Sequence, residues 1–517
     1  MRLRFAVVAA ALTVPGQLPA QRAPFRVEET TIAQVHEAFR AGTLTCHALV
    51  EHYLRRIAAY DRNGPAINSL VVVNPRALDV ADSLDRRFKS GGPVGALHCI
   101  PMIVKDNFET TDLPTTAGSL SLQGFVSSRD AFMVRRIREA GAIVLAKSNM
   151  AEFAFSPIET VSSILPGYTK NPYATDRVTA GSSGGTAAAV AANLGEVGLG
   201  TDTGNSIRGP SGHQALVGIR STIGLTSRAG VVPLDLAYDI AGPMARTVAD
   251  AAAVFQVVAG PDPDDPVTAA SRDRAQVDYR AALVREGLKG ARVGVLTQAY
   301  ERPTTDPEVL AVFQVALEDL RRQGATVVEA VTVDSLDAWD NAQTEPCFPF
   351  PFKHDINVWL AGHRDRVPVK SLEEIVRSGR FHPSIEKRLE LAQTGLEPVS
   401  ANPGCRDAEA FRVKLRTAVL ALMDANRLDA LVYPTWSNPP RLIGDLNTPA
   451  GDNNQVFSPS TGFPAITVPM GYTRGALPAG LQFFGRPWSE ATLIRLAYAY
   501  EQATRHRHPP ATVPPLR

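Results

Sequence analysis

Gly181-Ser182-Ser183-Gly184-Gly185 and, beyond an alanine-rich stretch from Thr186 to Ala192, Gly200-Thr201-Asp202-Thr203-Gly204-Asn205-Ser206-Ile207-Arg208 form two serine-bearing, glycine-rich turns. Glycine lets the backbone turn sharply and lets a ligand approach backbone N–H groups closely. A serine fixed in such a turn can act as a nucleophile, and the neighbouring amides can hold an oxyanion. Taken alone, glycine-serine clusters are usually surface loops. A third segment shifts the balance: Pro101-Met102-Ile103-Val104-Lys105-Asp106-Asn107. The apolar run from Ile100 to Val104 reads as a buried strand that delivers Lys105 at its end. A lysine there would be desolvated and its pKa lowered, so a neutral amine base becomes available. An ordinary surface lysine leaving a strand is the bland alternative.

Together these stretches resemble the amidase signature family, whose hallmark holds a Ser-Ser-Gly-Gly core and a Gly-Thr-Asp-x-Gly-x-Ser-Ile-Arg core, with Ser182 and Ser206 at the family's separation. The likeness continues through Leu97 to Pro101, Pro114 to Ser119, Gly242 to Asp250, Gly462 to Pro469 and Leu477 to Phe483. It covers roughly residues 26–505 as one domain and thins between about 270 and 425. The resemblance implies a catalytic set of Lys105, Ser182 in or beside a cis peptide, and Ser206 as nucleophile. It also implies backbone amides of Thr203, Gly204, Asn205 and Ser206 as oxyanion donors. Ser183, Asp202 and Arg208 are expected to support the loop. The implied fold is α/β, one large mixed sheet sandwiched between helical layers. The implied activity is hydrolysis of a carboxylic amide C–N bond through an acyl-enzyme, without a cofactor.

Two positions depart from the family pattern. Asn205 stands where glycine is common; asparagine tolerates positive φ better than most residues, so the turn is expected to persist, with the Asn205 amide a candidate to reach the pocket. Gly209-Pro210-Ser211-Gly212-His213 replaces small and apolar residues, and His213 invites a Ser–His reading that ranks below the lysine relay. Gly181 to Gly185 also satisfies Gly-x-Ser-x-Gly, the nucleophile elbow of an α/β-hydrolase-like serine esterase acting through Ser183. That reading needs a strand before the turn, for which Asp176-Arg177-Val178-Thr179 is a poor candidate, and it leaves Lys105 and Ser206 idle. A non-catalytic binding protein of the same fold is the third reading; loss of the lysine or a serine would have signalled it, and all three are present.

Lys+Arg of 53 against Asp+Glu of 52 in 517 residues argues against nucleic acid as the main partner and leaves a small-molecule or peptide amide as the expected substrate. Met1-Arg2-Leu3-Arg4, the apolar run Phe5 to Val14 and Leu18-Pro19-Ala20 read as a signal peptide over residues 1–20, so the protein is expected to be exported, periplasmic or extracellular. Export would separate it from tRNA, the substrate carrier of some relatives. That run falls short of the about 20 residues a bilayer needs, and no stable membrane anchor is expected. Cys46, Cys99, Cys347 and Cys405 permit three complete pairings, with Cys99 read as a core thiol. Arg505-His506-Arg507-His508 reads as a solvated tail. No His/Cys/Asp/Glu group has metal-ligand spacing, so no metal is expected.

Thr31-Ile32-Ala33-Gln34 predicts a capped helix ending near Gly42, and a second follows from Thr45. Strands are predicted at 70–73, 100–104, 142–146, 197–199, 293–296, 326–328, 430–433, 465–468 and 481–484. Helices at 131–140, 247–258 and 307–323 alternate with them, as in an α/β protein. Trp339, Phe348, Phe350, Phe352 and Trp359 fit either a substrate pocket or an insertion packed on the core. The loop Asn447 to Phe457 is a second candidate wall.

Overall fold

The computed structural model describes residues 25–274, 276–341 and 345–516; the predicted leader at 1–20 lies outside them. Eleven strands form one sheet: β1 Leu70–Val73, β2 Pro101–Lys105, β3 Ile143–Ser148, β4 Val197–Asp202, β5 Val217–Arg220, β6 Ile240–Ala245, β7 Arg292–Leu296, β8 Thr326–Val331, β9 Ala430–Pro434, β10 Ala465–Thr473 and β11 Leu477–Phe484. Their order is β1-β3-β2-β4-β6-β5-β10-β11-β9-β7-β8. β2 runs parallel to β3 and β4, and β7 parallel to β8 and β9, while the remaining pairs are antiparallel. The sheet is therefore mixed, and its inner strands are apolar and buried as expected of strands covered on both faces.

Nine strands follow the sequence prediction; β5 and β6 do not. β6 carries Gly242-Pro243, and β5 has only four residues, one of them glycine, so neither shows a strand pattern. Pro243 is accommodated because its register partner is Leu199 on β4, while β6 meets β5 only at Ala245 and Met244.

Parallel pairing of β2 with β4 sets the site. With Val104 opposite Leu199, the strands end side by side, and Lys105 arrives next to Thr201 and Asp202. The helix Gly184–Ala191 packs behind them, every residue of it buried. Glycine is needed at its start, since a Cβ on Gly185 would sit 2.2 Å from the Asn149 carbonyl oxygen.

Two sequence expectations are corrected here. Cys99 is no free thiol: it is bonded to Cys46, and Cys347 is bonded to Cys405. The residues after Thr504 do not form a solvated tail. Arg507 pairs with Glu29 through two 2.8 Å bonds and donates to the Ala215 carbonyl at 2.9 Å, while His508 stacks on Tyr472. The Arg507 charge is taken up by Glu29, while Arg505 stays exposed. No helix among the described residues is long and apolar enough to cross a membrane.

The aromatic insertion divides between its two readings. Phe352 and Trp359 join a second core with Phe125, Phe153 and Phe155, and Trp359 donates its indole N–H to buried Glu109 at 2.9 Å. Trp339 packs on the main core, whereas Phe348 borders the cleft described next.

Candidate active site

Lys105 is fully buried at the end of β2. Its Nζ lies 2.7 Å from Ser182 Oγ and 2.7 Å from Thr201 Oγ1. Asn107 donates to the same Thr201 hydroxyl at 3.1 Å, so that oxygen is fixed from two sides. Burial pushes the Lys105 ammonium down to about 7, against the opposing pull of Asp202 and Asp239. The amine is thus poised to exchange a proton near neutral pH. Thr201 and Asn107 lie in the quoted stretches, but nothing in the sequence marks a role for them.

Ser182 follows a cis Gly181–Ser182 peptide bond, and its carbonyl accepts from the Ala151 N–H at 3.1 Å. Ser183, the elbow candidate, is buried; its hydroxyl donates to the Thr201 carbonyl at 3.0 Å, and its N–H donates to the Ser206 carbonyl at 3.3 Å. It ties one turn to the other. The residues before the turn form no strand beyond an isolated bridge at Arg177, so the elbow's geometry is missing.

Asp202 organises the second turn. It accepts from the Ile207 N–H at 3.1 Å, the Arg208 N–H at 3.3 Å, Arg208 Nε at 3.1 Å and Arg220 Nη1 at 2.8 Å. Arg208 also donates to the Gly204 carbonyl at 2.6 Å. Burial alone would raise the Asp202 carboxyl, but the two guanidiniums outweigh it and hold it well below the usual carboxylate range. Asp202 and Arg208 thus bond to each other and to the backbone of the turn. Arg220, at the end of β5, escaped the sequence reading because only the sheet brings it there.

With the Ile207 and Arg208 amides taken by Asp202, the N–H groups of Thr203, Gly204, Asn205 and Ser206 make no hydrogen bond within the described residues. Four adjacent donors are left for a ligand, in the manner of a backbone nest. Gly204 is packed so closely by Gln455 that a Cβ would meet its Oε1 at 2.1 Å. Asn205 corrects an expectation: its φ is not positive, and its side-chain amide is buried away from the cleft without a hydrogen-bond partner. The turn closes through Asp202 and the arginines, so it needs no left-handed residue there.

Ser206 is 5 % exposed and borders a cleft of about 450 Å³ with Thr203, Gly204, Phe155, Asp235 and Phe348. Gln455 supplies the one wall residue from the predicted 447–457 loop. No hydrogen bond links Ser206 Oγ to Ser182 Oγ among the described residues. His213 does not serve the serine: it is buried on Trp436, bonded to the Asn438 carbonyl at 3.1 Å, and pushed by burial down to about 4.

A mixed sheet with a buried lysine, two serines and an amide-lined turn at the ends of its central strands defines the class, an α/β protein of the amidase signature fold. A profile of the family described as Amidase matches residues 48–494, and the chain belongs to that family as a hydrolase acting on amide C–N bonds. Among its relatives is a protein of Arabidopsis thaliana named as a probable amidase, 34% identical over 94% of this chain and 92% of that one. A glutamyl-tRNA(Gln) amidotransferase subunit from Myxococcus xanthus is 35% identical over 92% of this chain and 98% of its own. The solved peptide amidase of Stenotrophomonas maltophilia superposes with a TM-score of 0.86 at 39% identity, covering 94% of this chain and 99% of that one.

Proposed function

We propose that the protein hydrolyses carboxylic amides, peptide amides included, through an acyl-enzyme on Ser206 with Ser182 and Lys105 as proton relay. The observation that carries this reading is the buried Lys105 amine 2.7 Å from Ser182 Oγ, with its pKa lowered to about 7. Ser206 Oγ attacks the carbonyl carbon while its proton passes to Ser182, whose own proton passes to neutral Lys105. The carbonyl oxygen, now an anion, lies against the amides of Thr203 to Ser206. Collapse breaks the C–N bond, and the proton returns from Lys105 through Ser182 to the leaving nitrogen. Water then attacks the ester by the same relay and releases the carboxylic acid and Ser206. Rotation of the Ser206 hydroxyl toward Ser182 closes the relay when substrate binds, since catalytic contacts tighten in the complex.

The same proposal places the mature protein outside the cytoplasm. The leader pattern at 1–20 and two disulfides support that placement, because such bonds persist in oxidising compartments. It favours a free amide over an aminoacyl-tRNA as substrate.

Labelling with a serine-reactive fluorophosphonate, followed by peptide mass spectrometry, tests the assignment. The adduct is expected on Ser206, formed far more slowly in Lys105→Ala. An adduct on Ser183 would restore the elbow, and none on the folded wild type would remove the acylating serine altogether.

A further inference from the structure

The segment 234–239 runs along the Ser206 cleft, and Leu234, Asp235 and Tyr238 border it. Three carboxylates gather around this segment. Asp239 accepts the Leu234 and Asp235 N–H groups at 2.9 and 3.1 Å and the Thr203 hydroxyl at 2.5 Å. Asp355 accepts the Leu236 N–H at 2.8 Å. Asp235 itself is 3 % exposed, and it accepts only the Ala237 N–H, at 3.0 Å through Oδ1. Its second oxygen takes no hydrogen bond from the described residues. Among those residues none of the three carboxylates is ion-paired. Arg412, close to this segment, gives its donors to the Ala237 and Ser460 carbonyls and to Glu409. Arg388, which also borders the cleft, is exposed and donates to the Phe155 carbonyl.

A buried carboxylate ordinarily has a cation or a full set of donors. Asp239 has three donors; Asp235 has one, and Asp235 is the carboxylate that borders the cavity. We propose that Asp235 is a specificity-determining residue that binds a positively charged group, an ammonium or guanidinium, carried by the amide substrate. The inference rests on the reading of Ser206 as the acylating serine. Burial, with Asp239 and Asp355 beside it, pushes the Asp235 carboxyl up to about 7, and an arriving cation relieves that penalty. Phe155 and Phe348, with ring centres 5.8 Å apart on the same cleft, offer an apolar surface for the stem that carries the charge.

N-acetyl-lysinamide and N-acetyl-norleucinamide differ at the terminal ammonium and form the test pair. The wild type is expected to favour the lysinamide in kcat/KM by about tenfold or more, as a charge-assisted contact allows, and Asp235→Asn to collapse that ratio toward unity. A wild type without the preference, or a variant that keeps it, overturns the assignment. Calorimetric binding of the same pair to Ser206→Ala, with and without Asp235→Asn, separates the subsite from the chemistry. A cation preference in binding that Asp235→Asn removes, together with no hydrolysis by the wild type, would sink the amidase reading of Ser206 and leave the subsite standing. Equal binding of both amides would overturn the subsite itself.

Discussion

At Lys105, burial removes the water that would stabilise an ammonium, and the neighbouring Ser182 and Thr201 hydroxyls take the place of solvent. With the pKa lowered to about 7, the neutral base exists above that pH and is lost by protonation below it. The expected pH profile of kcat/KM therefore falls about tenfold per unit on the acid side of neutrality. Lys105→Ala is expected to lower kcat/KM by about 10²–10⁴-fold, the usual range for a removed acid–base group. Lys105→Arg should fare no better, because a guanidinium does not deprotonate at these pH values. Steady-state rates on an amide substrate check all three, and a flat profile from about pH 5 to 9 would exclude the lysine as base. Lys105, Ser182 and Ser206 stand out in the sequence as candidates because the glycine-rich turns that carry the serines are local. Asn107 and Thr201 stood in plain view, but asparagine and threonine near a strand end are common and signal nothing alone. Asp235 gave no sign at all, since its lack of a partner is a property of packing.

The turn from Asp202 to Arg208 is held by a carboxylate between two guanidiniums, and loss of either guanidinium is expected to distort it. Arg220→Ala would leave Asp202 buried with one cation fewer and strip the Tyr238 carbonyl of its 2.8 Å donor. Asp202 keeps Arg208, so the lost donors should cost about 1–3 kcal/mol and lower the denaturation midpoint. Activity should fall further than the loss of folded protein accounts for, because the amides of Thr203 to Ser206 lose their aim. Chemical denaturation read beside active-site titration checks this, and a variant with full stability would show that Arg208 alone suffices. The Asp202 carboxyl is held low in the folded state, so its contribution to stability is present above the unfolded carboxylate pKa and is lost as pH falls through the folded one. Most strands around this turn followed from apolar runs bounded by turn residues. β5 and β6, which carry Arg220 to Asp202, did not, for glycine and proline hide a strand whose hydrogen bonds are supplied by neighbours distant in sequence.

Over the whole molecule, the chain is closed on itself at three places that local patterns do not mark. Arg507 returns to Glu29, Cys46 to Cys99, and Cys347 to Cys405. An Arg-His-Arg-His run looks like any charged tail, and four cysteines leave their pairing open. The two disulfides span separations of 53 and 58 residues, for which chain entropy gives about 4 kcal/mol each. They differ in setting. Cys46 and Cys99 are fully buried beside β2, whereas Cys347 is half-buried at the cleft, next to Phe348. A thiol reductant under native conditions should therefore open Cys347–Cys405 first, with Cys46–Cys99 yielding only when the protein unfolds. Differential alkylation and peptide mass spectrometry read the order directly, and simultaneous reduction of both bonds would contradict it. Opening the outer bond frees the wall that carries Phe348 but leaves Lys105, Ser182 and Ser206 in place. KM should then rise while kcat for bound substrate holds. A loss of kcat with KM unchanged would mean that the bond supports the catalytic turns and not the cleft wall.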